Sequence, residues 1–145
     1  MKTKKDLKQL AANAREYRKT YEKTPKGYLS RKYHAMNCRV NGIGSPEFIA
    51  RHKNYMGLPL LSRQAFYLWA LENKDFKKLF DDWKVSGFEA KLCPTVDRID
   101  PKKGYVLSNM RWLTRSKNSS LGNLGRPKKR KHEVLQEPAP NVKAA

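Results

Sequence analysis

Two side chains between positions 97 and 118 have the types and spacing needed to hold a metal ion against a phosphodiester, and a third can brace the loop between them. Asp97 lies in a β-branched, alternating stretch, and Asn118 lies on a short predicted helix downstream. In a hairpin folded onto that helix, the two side chains can meet and supply the oxygen ligands that Mg²⁺ prefers. Such a metal stabilises the leaving oxygen of a cleaved phosphodiester, while a nearby base activates water. Asn109 falls at the end of the intervening loop, where its amide can tie the loop backbone together.

The elements that must position these residues follow from the same segment. Residues 92–100 alternate and predict a strand, and residues 101–104 form a turn. Residues 105–107 start a second strand or lead into it, and residues 110–113 continue extended. Thr114 or Ser116 then caps a short helix that carries Asn118. The predicted order is strand, loop, strand and helix.

A longer pattern surrounds these residues. It consists of Thr95-Val96-Asp97-Arg98-Ile99-Asp100, Lys103-Gly104-Tyr105, Ser108-Asn109-Met110-Arg111-Trp112-Leu113-Thr114 and Asn118. This pattern resembles the HNH (His-Me finger) nucleases, in particular small phage-encoded members that include free-standing homing-type endonucleases. The upstream stretches 28–33 and 62–83 resemble the same phage group. The resemblance therefore covers residues 28–123, with the motif itself confined to 95–118.

The resemblance implies a ββα-metal fold and metal-dependent cleavage of a DNA phosphodiester, with Mg²⁺ or Mn²⁺ as cofactor. It assigns Asp97 and Asn118 as metal ligands and Asn109 as the residue that braces the loop. The chain departs from the family at the first His of the motif, normally the general base, where it has Arg98. Because a guanidinium keeps its proton at neutral pH, Arg98 cannot be that base.

Three interpretations of Arg98 remain open. Another group acts as the base or as an outer orienting group, with Asp100 nearest in sequence and His34 or His52 reachable through the fold. Alternatively, the base is a metal-bound hydroxide, and Arg98 holds the scissile phosphate by a bidentate contact. In the third interpretation the site is degenerate, and the chain is a non-cleaving DNA- or RNA-binding protein on a nuclease scaffold.

The net charge of the chain favours a polyanionic partner. Its 145 residues include 32 Lys and Arg against 13 Asp and Glu, a formal charge of +19. Nucleic acid is the commonest polyanion that such a surface meets, and counterion release favours its binding. We expect duplex DNA; RNA remains open, because phosphate contacts do not distinguish the two. We expect basic residues within the motif and in the tail to contact the nucleic-acid backbone. These residues are Lys102, Lys103, Arg111, Arg115, Lys117, Arg126, Lys128, Lys129, Arg130 and Lys131.

Other classes of protein are disfavoured. No apolar run approaches the ~18–20 residues that span a bilayer, so we expect no membrane partner. The basic N-terminus has no apolar stretch behind it, so we expect an intracellular, cytoplasmic protein (host cytoplasm if phage-encoded) that is not secreted. His34, Cys38 and His52 form at most an incomplete set of zinc ligands, so no zinc site is expected. The oligomeric state does not follow from the sequence.

The coarse organisation predicts an α+β protein, mostly helical, with a C-terminal ββα-metal hairpin and helix. Residues 1–40 form a basic helical region, 41–90 a central helical scaffold, 91–123 the HNH-like motif and 124–145 a basic disordered tail. In the scaffold, Ser62 and Asp75 are predicted to cap two helices whose aromatic side chains face the core. In the first region, residues 7–21 place apolar side chains at helical spacing along one stripe.

Overall fold

The computed structural model describes residues 1–124, which form six α-helices and two β-strands. These elements are α1 (Lys4–Tyr21), α2 (Pro25–Asn41), α3 (Pro46–Arg51), α4 (Arg63–Glu72), α5 (Lys74–Val85), β1 (Pro94–Arg98), β2 (Met110–Thr114) and α6 (Arg115–Asn123). The two strands pair antiparallel. The chain is thus mostly helical with one small sheet, which confirms the α+β prediction. Apart from residue 124, the predicted tail lies outside the described residues.

One aromatic core joins the helices to the sheet. Trp112 of β2 is 4% exposed. The centroid of its ring lies 4.6 Å from the ring centroid of Phe76 of α5 and 5.4 Å from that of Trp69 of α4. Phe66 of α4 is fully buried beside them. The prediction that the aromatic side chains of the scaffold face the core is confirmed. Burying several large aromatic rings against β2 fixes the hairpin firmly on the helical part of the molecule.

The helix caps show where local sequence signals succeed and where one fails. Ser62 caps α4 by accepting a hydrogen bond from the Ala65 backbone, and Thr114 caps α6 in the same way. The prediction that Asp75 caps the next helix is wrong, because Asn73 is the cap and accepts from the backbone N–H of Asp75. Asp75 instead occupies the first turn, where its negative charge suits the helix N-terminus.

The first strand is shorter than predicted, and the segment at 105–107 is not a strand. Residues 90–92 form a 3₁₀ turn, so β1 begins at Pro94. Tyr105 forms an isolated parallel bridge with Leu60, and its backbone N–H donates to the Pro59 carbonyl at 2.8 Å. A Cβ on Gly104 would overlap that carbonyl, so the close approach of the loop requires glycine here. The 99–109 loop is thereby attached to the helical part.

Helix α1 has the predicted apolar stripe, but none of its residues is buried. Leu7 is 55% exposed and Tyr17 is 72% exposed, and Tyr17 stacks on Tyr21 along the helix. A capping box between Thr3 and Asp6 begins the helix. Within residues 1–124, no helix is both long and apolar enough to cross a membrane.

Candidate nucleic-acid and metal site

We call β1, β2 and α6 the hairpin–helix unit, because it positions the predicted metal ligands. Asp97 on β1 pairs with Arg111 on β2 across the sheet. Asn118 lies one turn into α6, and its side-chain N–H donates to the Thr95 hydroxyl at 3.1 Å. Because Thr95 and Asp97 are two residues apart on one strand, they lie on the same face of the sheet. The structure thus brings Asp97 and Asn118 to one cavity.

Asn109 ties the 99–109 loop together with three hydrogen bonds. Its side-chain oxygen accepts from the Asp100 backbone N–H at 2.8 Å. Its side-chain nitrogen donates to the carbonyls of Asp100 and Gly104, both at 3.0 Å. Asn109 is 3% exposed. A buried amide that satisfies both sides of a loop in this way fixes the backbone immediately after β1.

Arg98 is held by the loop rather than extended into solvent. One terminal nitrogen donates to the carbonyls of Pro101 and Lys103 at 2.9 and 3.0 Å. The guanidinium also lies 3.8 Å from the ring centroid of Tyr55. Arg98 also lines the cavity, so it is a positively charged part of the wall that the loop and Tyr55 hold in place.

The alternative bases predicted from the sequence do not line the cavity. Asp100 accepts a hydrogen bond from the Lys102 backbone at 2.9 Å and is not among the cavity-lining residues. His34 lies 3.5 Å from Cys38, and His52 contacts the Phe48 carbonyl at 2.9 Å. Neither histidine lines the cavity. Among residues 1–124, no three His, Cys, Asp or Glu side chains form a group that could hold a metal ion.

The cavity itself has a volume of about 470 Å³ and is strongly positive. Among the described residues, its lining includes four basic side chains but only one carboxylate, that of Asp97. That carboxylate is 17% exposed and accepts from the Arg111 Nε at 2.8 Å, so the local negative charge is already paired. A cavity of this size and charge suits an anionic ligand.

Two of the four basic residues, Lys32 and Arg39 on α2, were not predicted from the sequence. They are seven residues apart, which places them on one face of the helix at two-turn spacing. That spacing is a sequence signal for a shared helix face, but nothing local shows which face of α2 meets the hairpin–helix unit. Burial lowers the pKa of Lys32. The guanidinium of Arg39 donates to the Tyr105 hydroxyl at 3.2 Å.

The remaining predicted contact residues lie around the same unit. Lys102, Lys103, Arg115 and Lys117 are exposed in the loop and in the first turn of α6, and none of them lines the cavity. The predicted residues of the tail, Arg126, Lys128, Lys129, Arg130 and Lys131, lie outside the described residues.

Asp97 and Asn118 each have an oxygen atom that could hold a hard divalent cation, with the other ligands supplied by water or substrate. The Asp97 oxygen Oδ2 is bonded to Arg111, and within the described part of the chain Oδ1 has no hydrogen bond. The Asn118 amide donates through nitrogen, which leaves its oxygen available. Mg²⁺ in nucleic-acid enzymes is typically held by one or two carboxylates with phosphate oxygens and water. Asp97 and Asn118 would supply such a minimal set. Arg111 would compete with the metal ion for the Asp97 carboxylate.

The chain matches no protein-family model, no curated protein and no solved structure.

Proposed function

We propose that the chain is a metal-dependent endonuclease of the HNH type, encoded by a phage, that nicks or cleaves duplex DNA. The observation that carries the proposal is the shared cavity of Asp97 and Asn118, which come from a strand and from the helix that follows it. Basic side chains surround the pair, as binding of a phosphodiester requires. The bracing of the loop by Asn109 adds the third element of the motif.

Each residue then has a defined part in the proposed reaction. Asp97 and Asn118 would hold the metal ion, which would neutralise charge that develops on the phosphate and the leaving oxygen. Arg98, immobilised by the loop, presents its free donors to the phosphate. Arg111 pairs with the Asp97 carboxylate and adds a second positive charge beside the phosphate. Asn109 keeps the loop, and therefore Arg98, in place.

A second candidate function is non-cleaving binding of DNA or RNA on the same surface. It is favoured by the Asp97–Arg111 ion pair, which satisfies one oxygen of the metal ligand without any metal. It is also favoured by the lining of the cavity, since none of the described residues there is a histidine or a second carboxylate that could activate water.

Cleavage of supercoiled plasmid separates the two functions. The wild-type chain is incubated with Mg²⁺ or Mn²⁺, with and without EDTA, beside Asp97→Ala. The matched control is Asp81→Ala, which removes an exposed carboxylate of α5. Nicking or linearisation that requires metal and Asp97 but not Asp81 supports the nuclease. Tight binding that is unchanged by EDTA, without cleavage in either metal, supports the non-cleaving binder.

A further inference from the structure

We infer that Lys32 and Arg39 of α2 form a second phosphate subsite, which takes a nucleic-acid backbone phosphate next to the one held at the hairpin–helix unit. The inference rests on the proposed function, because it assumes that the cavity receives nucleic acid. It adds a binding element from outside the motif. It also explains why a helix more than fifty residues upstream lines the same cavity as Asp97.

The first support is the absence of a counter-charge for either residue. The ion pairs formed within residues 1–124 are Arg31–Glu22, Lys91–Glu89 and Arg111–Asp97. Neither Lys32 nor Arg39 takes part in one. A partly buried cation without a carboxylate is unfavourable unless an anion supplied from outside compensates it.

The second support is an unsatisfied donor on Arg39. Its Nε is buried and has no hydrogen-bond partner among the described residues, although another guanidinium nitrogen donates to Tyr105. Buried polar groups in folded proteins are nearly always bonded, so this N–H is an unused donor on a residue that lines the cavity. A phosphate oxygen is the acceptor that a guanidinium fork fits well.

The third support is the position of Lys32. Its ammonium lies 5.2 Å from the ring centroid of Tyr28, and burial lowers its pKa. The ammonium is therefore partly desolvated in the absence of any ligand. A bound phosphate would supply a counter-charge to this ammonium. Because fewer water molecules surround the ammonium there, the electrostatic contact would be stronger than at an open surface.

The dimensions of the cavity favour a nucleic-acid strand over a single small anion. Lys32 and Arg39 are separated by two helical turns, about 10.5 Å along the axis. Arg98 and Arg111 contribute charge from the loop and from β2. A strand can place one backbone phosphate at Lys32 and Arg39 and the neighbouring phosphate at Arg98 and Arg111, whereas a single inorganic phosphate fills one of these positions.

The experiment measures binding without cleavage. Anisotropy titrations of a labelled duplex oligonucleotide in EDTA compare wild type with Lys32→Gln and Arg39→Gln. The matched control is Arg31→Gln, on the same helix, whose side chain is 66% exposed and already paired with Glu22. We expect about a tenfold loss of affinity for each subsite variant, as for a lost charge-assisted contact. The slope of log affinity against log salt should fall by about 0.9 for each phosphate contact removed.

Several outcomes would overturn the inference. An equal loss in Arg31→Gln would show that only overall charge matters. Displacement of the oligonucleotide by inorganic phosphate or pyrophosphate at comparable concentrations, dependent on Lys32, would make the cavity a small-anion site instead. If a glutamine variant fails to fold by circular dichroism, Lys32→Arg and Arg39→Lys replace it. Lys32→Arg should keep the affinity for the oligonucleotide. Arg39→Lys should lower it, because an ammonium cannot make the bidentate contact of a guanidinium with a phosphate.

The outcome is separable from that of the proposed function. Loss of binding in the α2 variants, together with a plasmid that stays uncut, would support the phosphate subsite and contradict the nuclease activity. Cleavage that depends on Asp97, together with unchanged binding in the α2 variants, removes only the subsite.

Discussion

The carboxylate of Asp97 and the guanidinium of Arg111 face each other across the two-stranded sheet and form an ion pair of 2.8 Å. Asp97 is also the proposed metal ligand, so one side chain has two possible cationic partners. Any metal must therefore share Asp97 with Arg111 or displace it.

Replacing Arg111 should therefore tighten metal binding. In Arg111→Gln the Asp97 carboxylate loses its competitor, and we expect half-saturation by Mn²⁺ at a metal concentration several-fold lower than in wild type. The measurement is electron paramagnetic resonance of free Mn²⁺ during a titration. Arg51→Gln, an exposed charge change on α3, is the control and should leave the curve unchanged. Weaker Mn²⁺ binding in Arg111→Gln would mean that the arginine organises the site instead of competing for it.

Replacing Asn109 should destabilise the loop more than any exposed asparagine. Asn109→Ala removes three hydrogen bonds at a site only 3% exposed and leaves loop groups unpaired. We expect the free energy of unfolding to fall by about 2–3 kcal/mol, measured by urea denaturation. Asn13→Ala on the exposed helix α1 is the control, with an expected change within about 0.5 kcal/mol. Equal effects of the two substitutions would contradict the bracing role.

The pH dependence of binding should reflect Lys32. Burial lowers its pKa below the ordinary 10.5, and the nearby Arg31, Arg39 and Arg115 act in the same direction, while Cys93 opposes them. Between the lowered pKa and 10.5, the folded chain binds fewer protons than the unfolded chain, so stability contributed by this group rises with pH. Phosphate binding needs the charged amine, so affinity should fall over the same window.

Lys32→Arg is the informative variant for that pH dependence. Because its guanidinium stays charged, the alkaline loss of oligonucleotide affinity should be reduced and shifted to higher pH. The measurement is an anisotropy titration from neutral pH upward, with circular dichroism at each pH to confirm the fold. Coincident pH profiles for wild type and Lys32→Arg would assign the effect to another group.

The parts of the molecule that could be predicted from sequence are those decided by near neighbours. The cap at Thr114 and the stripe of aromatic side chains in α5 depend on residues within one or two turns. The same is true of β2, since the sequence predicts that residues 110–113 are extended. Asp75 was the predicted cap of α5 and Asn73 is the actual one. The two positions are hard to distinguish from the sequence, since both side chains suit the start of a helix.

The parts that could not be predicted depend on contacts between distant segments. Arg98 stacks on Tyr55, and the positions are more than forty residues apart. Arg39 reaches Tyr105, which is 66 residues away. Such contacts follow from how α2 packs against the loop, and no periodicity in α2 indicates that packing. The contribution of Lys32 and Arg39 to the positive wall of the cavity therefore could not be predicted from the sequence, whereas Arg98 and Arg111 belong to the predicted motif.

Helix α1 should contribute to binding but little to stability. It has no buried residue, and its basic side chains point into solvent along most of its length. Lys4→Gln, Lys5→Gln and Lys8→Gln together should leave the melting temperature nearly unchanged while reducing oligonucleotide affinity and the salt slope. Because contacts to phosphate carry no sequence information, the loss should be equal for oligonucleotides of different sequence. The measurements are differential scanning calorimetry and anisotropy at several salt concentrations. A large fall in melting temperature would show that α1 packs more tightly than its exposure indicates, and an unchanged salt slope would place α1 outside the nucleic-acid interface.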